Sequence, residues 1–148
     1  GNLSTYVYKE LGGKLQLAVW DFNNGFDNYQ WFRTETDVLY TVKNSWFERL
    51  WQDKTFRKQV CERYRQLRKT TLSDEYIYDK IASYQEELGD AVDRNFKVWG
   101  YSFEDNLLVG KNKAGTSRDI GSYEEAIKQL TDIIRERLAY LDKELGGN

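Results

Sequence analysis

Between Asp53 and Leu145, apolar residues return at three- and four-residue intervals, and each main run follows a residue suited to capping a helix. This periodicity constrains the chain more than any other feature, because a stripe with that spacing faces one way only on a helix. Asp53 is the expected N-cap of a helix over about residues 54–69, with Phe56, Val60, Tyr64 (or Cys61) and Leu67 inward. Ser73, with Asp74 and Glu75 in the first turn where the helix dipole favours acids, opens a long helix to about Trp99. Its stripe is Ile77, Ile81, Tyr84, Leu88, Ala91 (or Val92), Phe96 and Trp99, with Gly89 inside it as a candidate bend or point of close helix packing. Ser122-Tyr123-Glu124-Glu125 is a capping-box pattern heading a last helix to about Leu145, with Ile127, Leu130, Ile134 (and Ile133), Leu138 and Leu141 inward. Ser45 to Trp51 reads as a shorter helix with Trp46, Phe47, Leu50 and Trp51 on one face. No proline interrupts these runs.

The N-terminal part follows a different rule. Residues 5–9 (Thr-Tyr-Val-Tyr-Lys) and 14–20 (Lys-Leu-Gln-Leu-Ala-Val-Trp) are rich in β-branched and aromatic side chains, and Gly12-Gly13 lies between them. The pattern predicts an antiparallel hairpin. A lone two-stranded hairpin is marginal in water, so it must pack on the helices or on strands outside this chain. Residues 21–44 and 100–121 lack a period and are rich in turn formers. The expected fold is mainly α (α+β): one domain over residues 1–148, with a hairpin at 5–20, a loop at 21–44 and about four helices in 45–145. The chain opens inside a strand-like run, which reads as a C-terminal fragment of a longer protein.

Composition narrows the function classes. The 22 Lys and Arg against 24 Asp and Glu give a net charge of −2, so no positive excess draws the chain to nucleic acid. There is no His, and Cys61 is alone, which excludes His general bases, Cys-ligand zinc clusters and an intrachain disulfide. No run approaches the ~20 apolar residues of a membrane span.

Polar groups cluster without a periodic reason in one place, Ala18-Val19-Trp20-Asp21-Phe22-Asn23-Asn24-Gly25-Phe26-Asp27-Asn28. A carboxylate at the end of a strand can ligate Mg²⁺, with Asn23 or Asp27 adding oxygen atoms. Side-chain hydrogen bonds that shape the turn are the commoner use of such residues. Tyr29, Trp31 and Phe32 fall off any helical stripe and form a candidate platform for a protein or glycan partner. The other rings fall mostly on stripes and are expected in the core. Arg57, Lys58, Arg63, Arg65, Arg68 and Lys69 give the second helix a basic face, read as solvated and paired with acids such as Glu62. Gly110 to Ser117 lacks the phosphate-loop spacing.

The order of these elements resembles the C-terminal part of the CotH family, the spore coat protein H kinases and their secreted relatives. The resemblance runs through Tyr6-Val7-Tyr8-Lys9, Leu17-Ala18-Val19-Trp20-Asp21-Phe22-Asn23, Asn44-Ser45-Trp46-Phe47, Arg94-Asn95-Phe96, and a closing helix with Arg137 and Leu141-Asp142. Trp20-Asp21-Phe22-Asn23 is its most specific motif. The resemblance implies a divergent protein kinase that uses ATP and Mg²⁺ to phosphorylate coat or surface proteins, at the cell envelope, outside the cell or in the spore coat. It makes Asp21 a metal ligand, with Asn23 in place of the family's second acid. It puts the catalytic base and the ATP-gripping Lys upstream of Gly1, so the fragment alone is expected to be inactive. The competing expectation is a non-catalytic, pseudokinase-like domain that binds a surface partner through Tyr29, Trp31 and Phe32.

Overall fold

The computed structural model describes residues 5–22, 25–27, 35–39, 45–99 and 120–147. Within them the chain is mainly α and begins with one hairpin. Strands β1 (Thr5–Lys9) and β2 (Leu15–Val19) are antiparallel, in register from Thr5 opposite Val19 to Lys9 opposite Leu15. The Gly13 N–H closes the turn by donating to the Glu10 carbonyl at 2.9 Å. Gly12 carries a φ of 74°, in the left-handed region where a Cβ is penalised. Val7, Leu15, Leu17 and Val19 share one face of the ribbon, and Tyr6 and Tyr8 share the other. The Tyr8 hydroxyl donates to Gln16 Oε1 at 2.9 Å, and Tyr6 meets Trp20 edge-on at 5.8 Å. All seven of these apolar and aromatic side chains keep large exposed surfaces.

Five helices follow among the described residues: α1 (Ser45–Gln52), α2 (Lys54–Arg68), α3 (Asp74–Leu88), α4 (Ala91–Trp99) and α5 (Tyr123–Leu145). The expected caps form. Asp53 accepts from the Phe56 N–H at 2.9 Å, Ser73 from the Tyr76 N–H at 3.1 Å and Ser122 from the Glu125 N–H at 3.1 Å. Each satisfies a backbone donor that the first helical turn leaves without a partner. The Glu125 carboxylate reaches back to the Gly121 N–H at 2.6 Å, one residue before the cap itself.

The continuous helix expected over 73–99 is instead two helices. Gly89 takes φ 43° and ψ −131°, far from helical values, and so ends α3. Its N–H still bonds the Gln85 carbonyl at 3.0 Å, and its own carbonyl receives Val92 N–H at 3.2 Å as α4 begins. The break follows from glycine's freedom at positive φ. Gly89 marks a candidate bend in the sequence, but the apolar spacing keeps phase across it and does not show a full break.

The core lies where α5 packs on α2. Tyr64 of α2 and Ile133, Ile134, Leu138 and Leu145 of α5 are its buried members among the described residues. The expectation that most rings on stripes are buried does not hold. Tyr64 is the one buried aromatic described, whereas Trp46, Phe47, Tyr84 and Trp99 are exposed. Among the described residues, α1 and α5 both pack on α2, while the rings of α3 and α4 find no comparable cover. No described helix is long and apolar enough to cross a membrane.

Candidate functional site

A polar join ties α2 to α5 and to the start of α3. Arg68 grips Asp142 with two bonds, Nε to Oδ1 at 2.8 Å and Nη2 to Oδ2 at 2.9 Å. Its Nη1 donates to the Leu72 carbonyl at 2.5 Å and to Asp74 at 2.8 Å. The Tyr64 hydroxyl donates to the same Asp142 Oδ1 at 2.6 Å. Burial pushes the Tyr64 hydroxyl well above its ordinary value, and the Asp142 carboxylate adds to the shift. Burial alone would raise the Asp142 carboxyl, but the Arg68 and Tyr64 hydrogen bonds outweigh it and hold the group below the usual range. Four of the five Arg68 N–H groups and the Tyr64 hydroxyl are engaged within the protein, the pattern of a structural staple rather than a reactive site.

The rest of the basic face on α2 is similarly engaged. The Arg57 guanidinium lies 5.8 Å from the Trp51 ring centre, Lys58 pairs with Glu62 at 3.8 Å, and Arg65 donates to the Gly147 carbonyl at 3.2 Å. Cys61 is half-buried and makes no disulfide.

The segment after β2 has a different character. Asp21 directly follows Trp20 at the strand's end and has a φ of 53°. Phe26 and Asp27 follow with φ 54° and 64°, so three non-glycine residues within seven occupy the left-handed region. Aspartate tolerates that region comparatively well, but phenylalanine does not. Such backbone persists only where the surroundings enforce it, and it concentrates at functional sites. The Gly25 N–H donates to the Phe22 carbonyl at 2.8 Å and folds the chain back between Asp21 and Phe26.

The two carboxylates in this turn have opposite surroundings. Asp27 is 4% exposed and receives Gln129 Nε2 of α5 at 3.4 Å. Asp21 is exposed, and its carboxylate takes no hydrogen bond or ion pair from any described residue. Asp27 is therefore committed to the protein, and Asp21 is open to a ligand. Further along, Arg137 Nη1 of α5 donates to the Thr36 and Val38 carbonyls at 2.8 and 2.6 Å, and Thr36 Oγ1 donates to Glu136 at 3.3 Å.

No three His, Cys, Asp or Glu side chains group as a metal cage among the described residues. An ion shared with a nucleotide needs fewer, because Mg²⁺ in such sites takes one or two carboxylates and fills its shell with phosphate oxygens and water. The exposed, unpartnered Asp21 suits that use. Asn23, its expected companion, lies outside the described residues, as do Tyr29, Trp31 and Phe32 of the candidate partner platform.

A family model described as CotH kinase protein matches residues 2–141. The chain belongs to the CotH kinase family. Neither the curated proteins nor the solved structures compared with it gave a match. The CotH match takes in Asp21, Asp27, Thr36 and Val38 and most of α5, whose Gln129 meets Asp27 and whose Arg137 holds the Thr36 and Val38 carbonyls. Nothing local in the CotH sequence marks Gln129, and Arg137 is marked only as a family residue. Their partners lie 102, 101 and 99 positions away, beyond any helical or strand period.

Proposed function

We propose that this chain is the helical, metal-binding lobe of a CotH-like atypical protein kinase that moves phosphoryl groups from ATP to hydroxyls of coat or surface proteins. The observation that carries the reading is Asp21, an exposed carboxylate without a described partner, in left-handed backbone at the end of β2. It stands in the motif Trp20-Asp21-Phe22 of a chain that the CotH kinase model matches. In such a site Asp21 offers oxygen ligands to Mg²⁺, and the bound ion neutralises the triphosphate oxygens. Asn23 adds an amide oxygen, one negative charge fewer than an acid would give, so the ion is held less tightly. On this reading the family's ATP-gripping Lys and catalytic base are expected upstream of Gly1, and the fragment alone is expected to be inactive. The setting that fits this reading is the cell envelope, the cell exterior or the spore coat.

The test is Asp21→Ala in the full-length protein, assayed by autophosphorylation with Mg-ATP. Loss of transfer, with the parent's circular dichroism retained, is the expected result. Undiminished transfer overturns the reading.

A further inference from the structure

We propose that Arg137 and Gln129 of α5 are positioning residues that fix the Asp21 turn against the helical body. The inference rests on the kinase reading above and deepens it. Asp21 sits at the end of a hairpin whose two faces are both exposed, so the hairpin gives it little rigid reference. The described polar reference comes from the segment that follows. Asp27, six residues on, is 4% exposed and meets Gln129 at 3.4 Å. Thr36 and Val38 hang by their carbonyls on the single Nη1 of Arg137, at 2.8 and 2.6 Å.

Helix geometry gives these contacts a common frame. Gln129 and Arg137 are eight residues apart, about 12 Å along the helix and within roughly 80° of one another around it. Asp142, which binds Arg68, points roughly 140° away from both. One side of α5 thus faces the core partner α2, and another takes Asp27 at one level and the Thr36 and Val38 carbonyls at the other. The Arg137 guanidinium is itself steadied 5.4 Å from the Tyr140 ring centre. A carbonyl pair held by a cation is a positional constraint rather than a catalytic group, since neither residue touches a reacting atom. Catalysis with a metal-bound nucleotide is sensitive to displacements of about 1 Å, and such a shift costs on the order of 100-fold.

The experiment uses the full-length protein with Arg137→Ala, Arg137→Lys and Gln129→Leu, assayed by autophosphorylation across a Mg²⁺ titration. Melting curves and amide exchange over residues 35–39 are followed in parallel. Lysine retains a cationic donor for both carbonyls. The expected result for Arg137→Ala is a rise of about tenfold or more in the Mg²⁺ needed for half-maximal transfer. Exchange over 35–39 quickens, the melting curve stays close to the parent's, and Arg137→Lys restores most of the loss. Gln129→Leu moves the Mg²⁺ midpoint in the same direction and serves as the independent variant if Arg137→Ala fails to fold. An active parent whose Arg137→Ala and Gln129→Leu variants keep its Mg²⁺ midpoint overturns the positioning role and leaves the kinase reading standing. A parent that transfers nothing, with Asp21→Ala indistinguishable from it, removes the kinase reading and this inference with it.

Discussion

Replacing Arg68 by Met tests the join between α2 and α5. Methionine keeps much of the aliphatic stem and removes every nitrogen, so four bonds go: two to Asp142, one to the Leu72 carbonyl and one to Asp74. A hydrogen bond to a charged partner contributes about 1.5–3 kcal/mol where water is excluded. Here the Asp142 side chain is 43% exposed and that of Asp74 is 58% exposed, so water replaces much of what is lost. The Asp74 pair then counts for almost nothing. The two-pronged grip on Asp142 contributes roughly 1–2 kcal/mol, and the Leu72 carbonyl adds about 1 kcal/mol. The expected loss is about 2–3 kcal/mol, a fall in Tm of roughly 4–12 °C for a chain of this size.

The acid dependence supplies a second check on the same variant. Asp142 has a lowered folded pKa, so its contribution is present above the unfolded carboxyl value of about 3.9 and is lost as pH falls through the folded value. Without Arg68 most of that contribution is absent. The gap between parent and variant is therefore full at pH 7 and narrows below about pH 4. Thermal melts by circular dichroism at both ends of the range measure it. A Tm within about 2 °C of the parent at neutral pH, or a gap that widens in acid, refutes the reasoning.

Two further predictions concern a glycine and the metal site. Gly89→Ala distinguishes a broken helix from a continuous one by sign: a continuous helix would gain about 1 kcal/mol, whereas φ 43° with ψ −131° predicts a loss of about 1–3 kcal/mol. The nearest atom to the added Cβ is the Glu86 carbonyl oxygen at 3.6 Å, so the cost is conformational, and a urea melt reads its direction. Asn23→Asp restores a charge at the proposed metal site and should lower the Mg²⁺ needed for half-maximal autophosphorylation several-fold; an unchanged or higher requirement counts against Asn23 as a ligand.

What could be read from the sequence follows the range of the interaction. Asp53, Ser73 and Ser122 were legible as caps because each side chain meets an N–H three residues ahead. The hairpin was legible because alternation and a glycine turn are local. Gly89 was legible as a candidate bend but not as a full break, because Leu88, Ala91 or Val92, and Phe96 keep helical phase across it. Asp21 stood out only once the order of elements suggested the CotH family, since by itself an Asp-Asn loop is an ordinary turn. The Arg68 join and the α5 contacts to residues 27, 36 and 38 span some 74 to 102 positions. No periodic pattern carries information over such distances. The stripes identified helices but overstated burial, because they say which face is apolar and not whether a neighbour covers it.

The placement of the core on α5 bears on how the chain is made. Four of the five buried apolar residues described belong to this last helix, and the fifth, Tyr64, waits for Asp142. During synthesis the hairpin and α1 to α4 therefore emerge before the helix that carries most of the described core. Closure is one late, long-range event rather than a gradual accretion. A nascent chain that stalls before Ile133 has its strands and caps but, of the buried apolar residues described, only Tyr64.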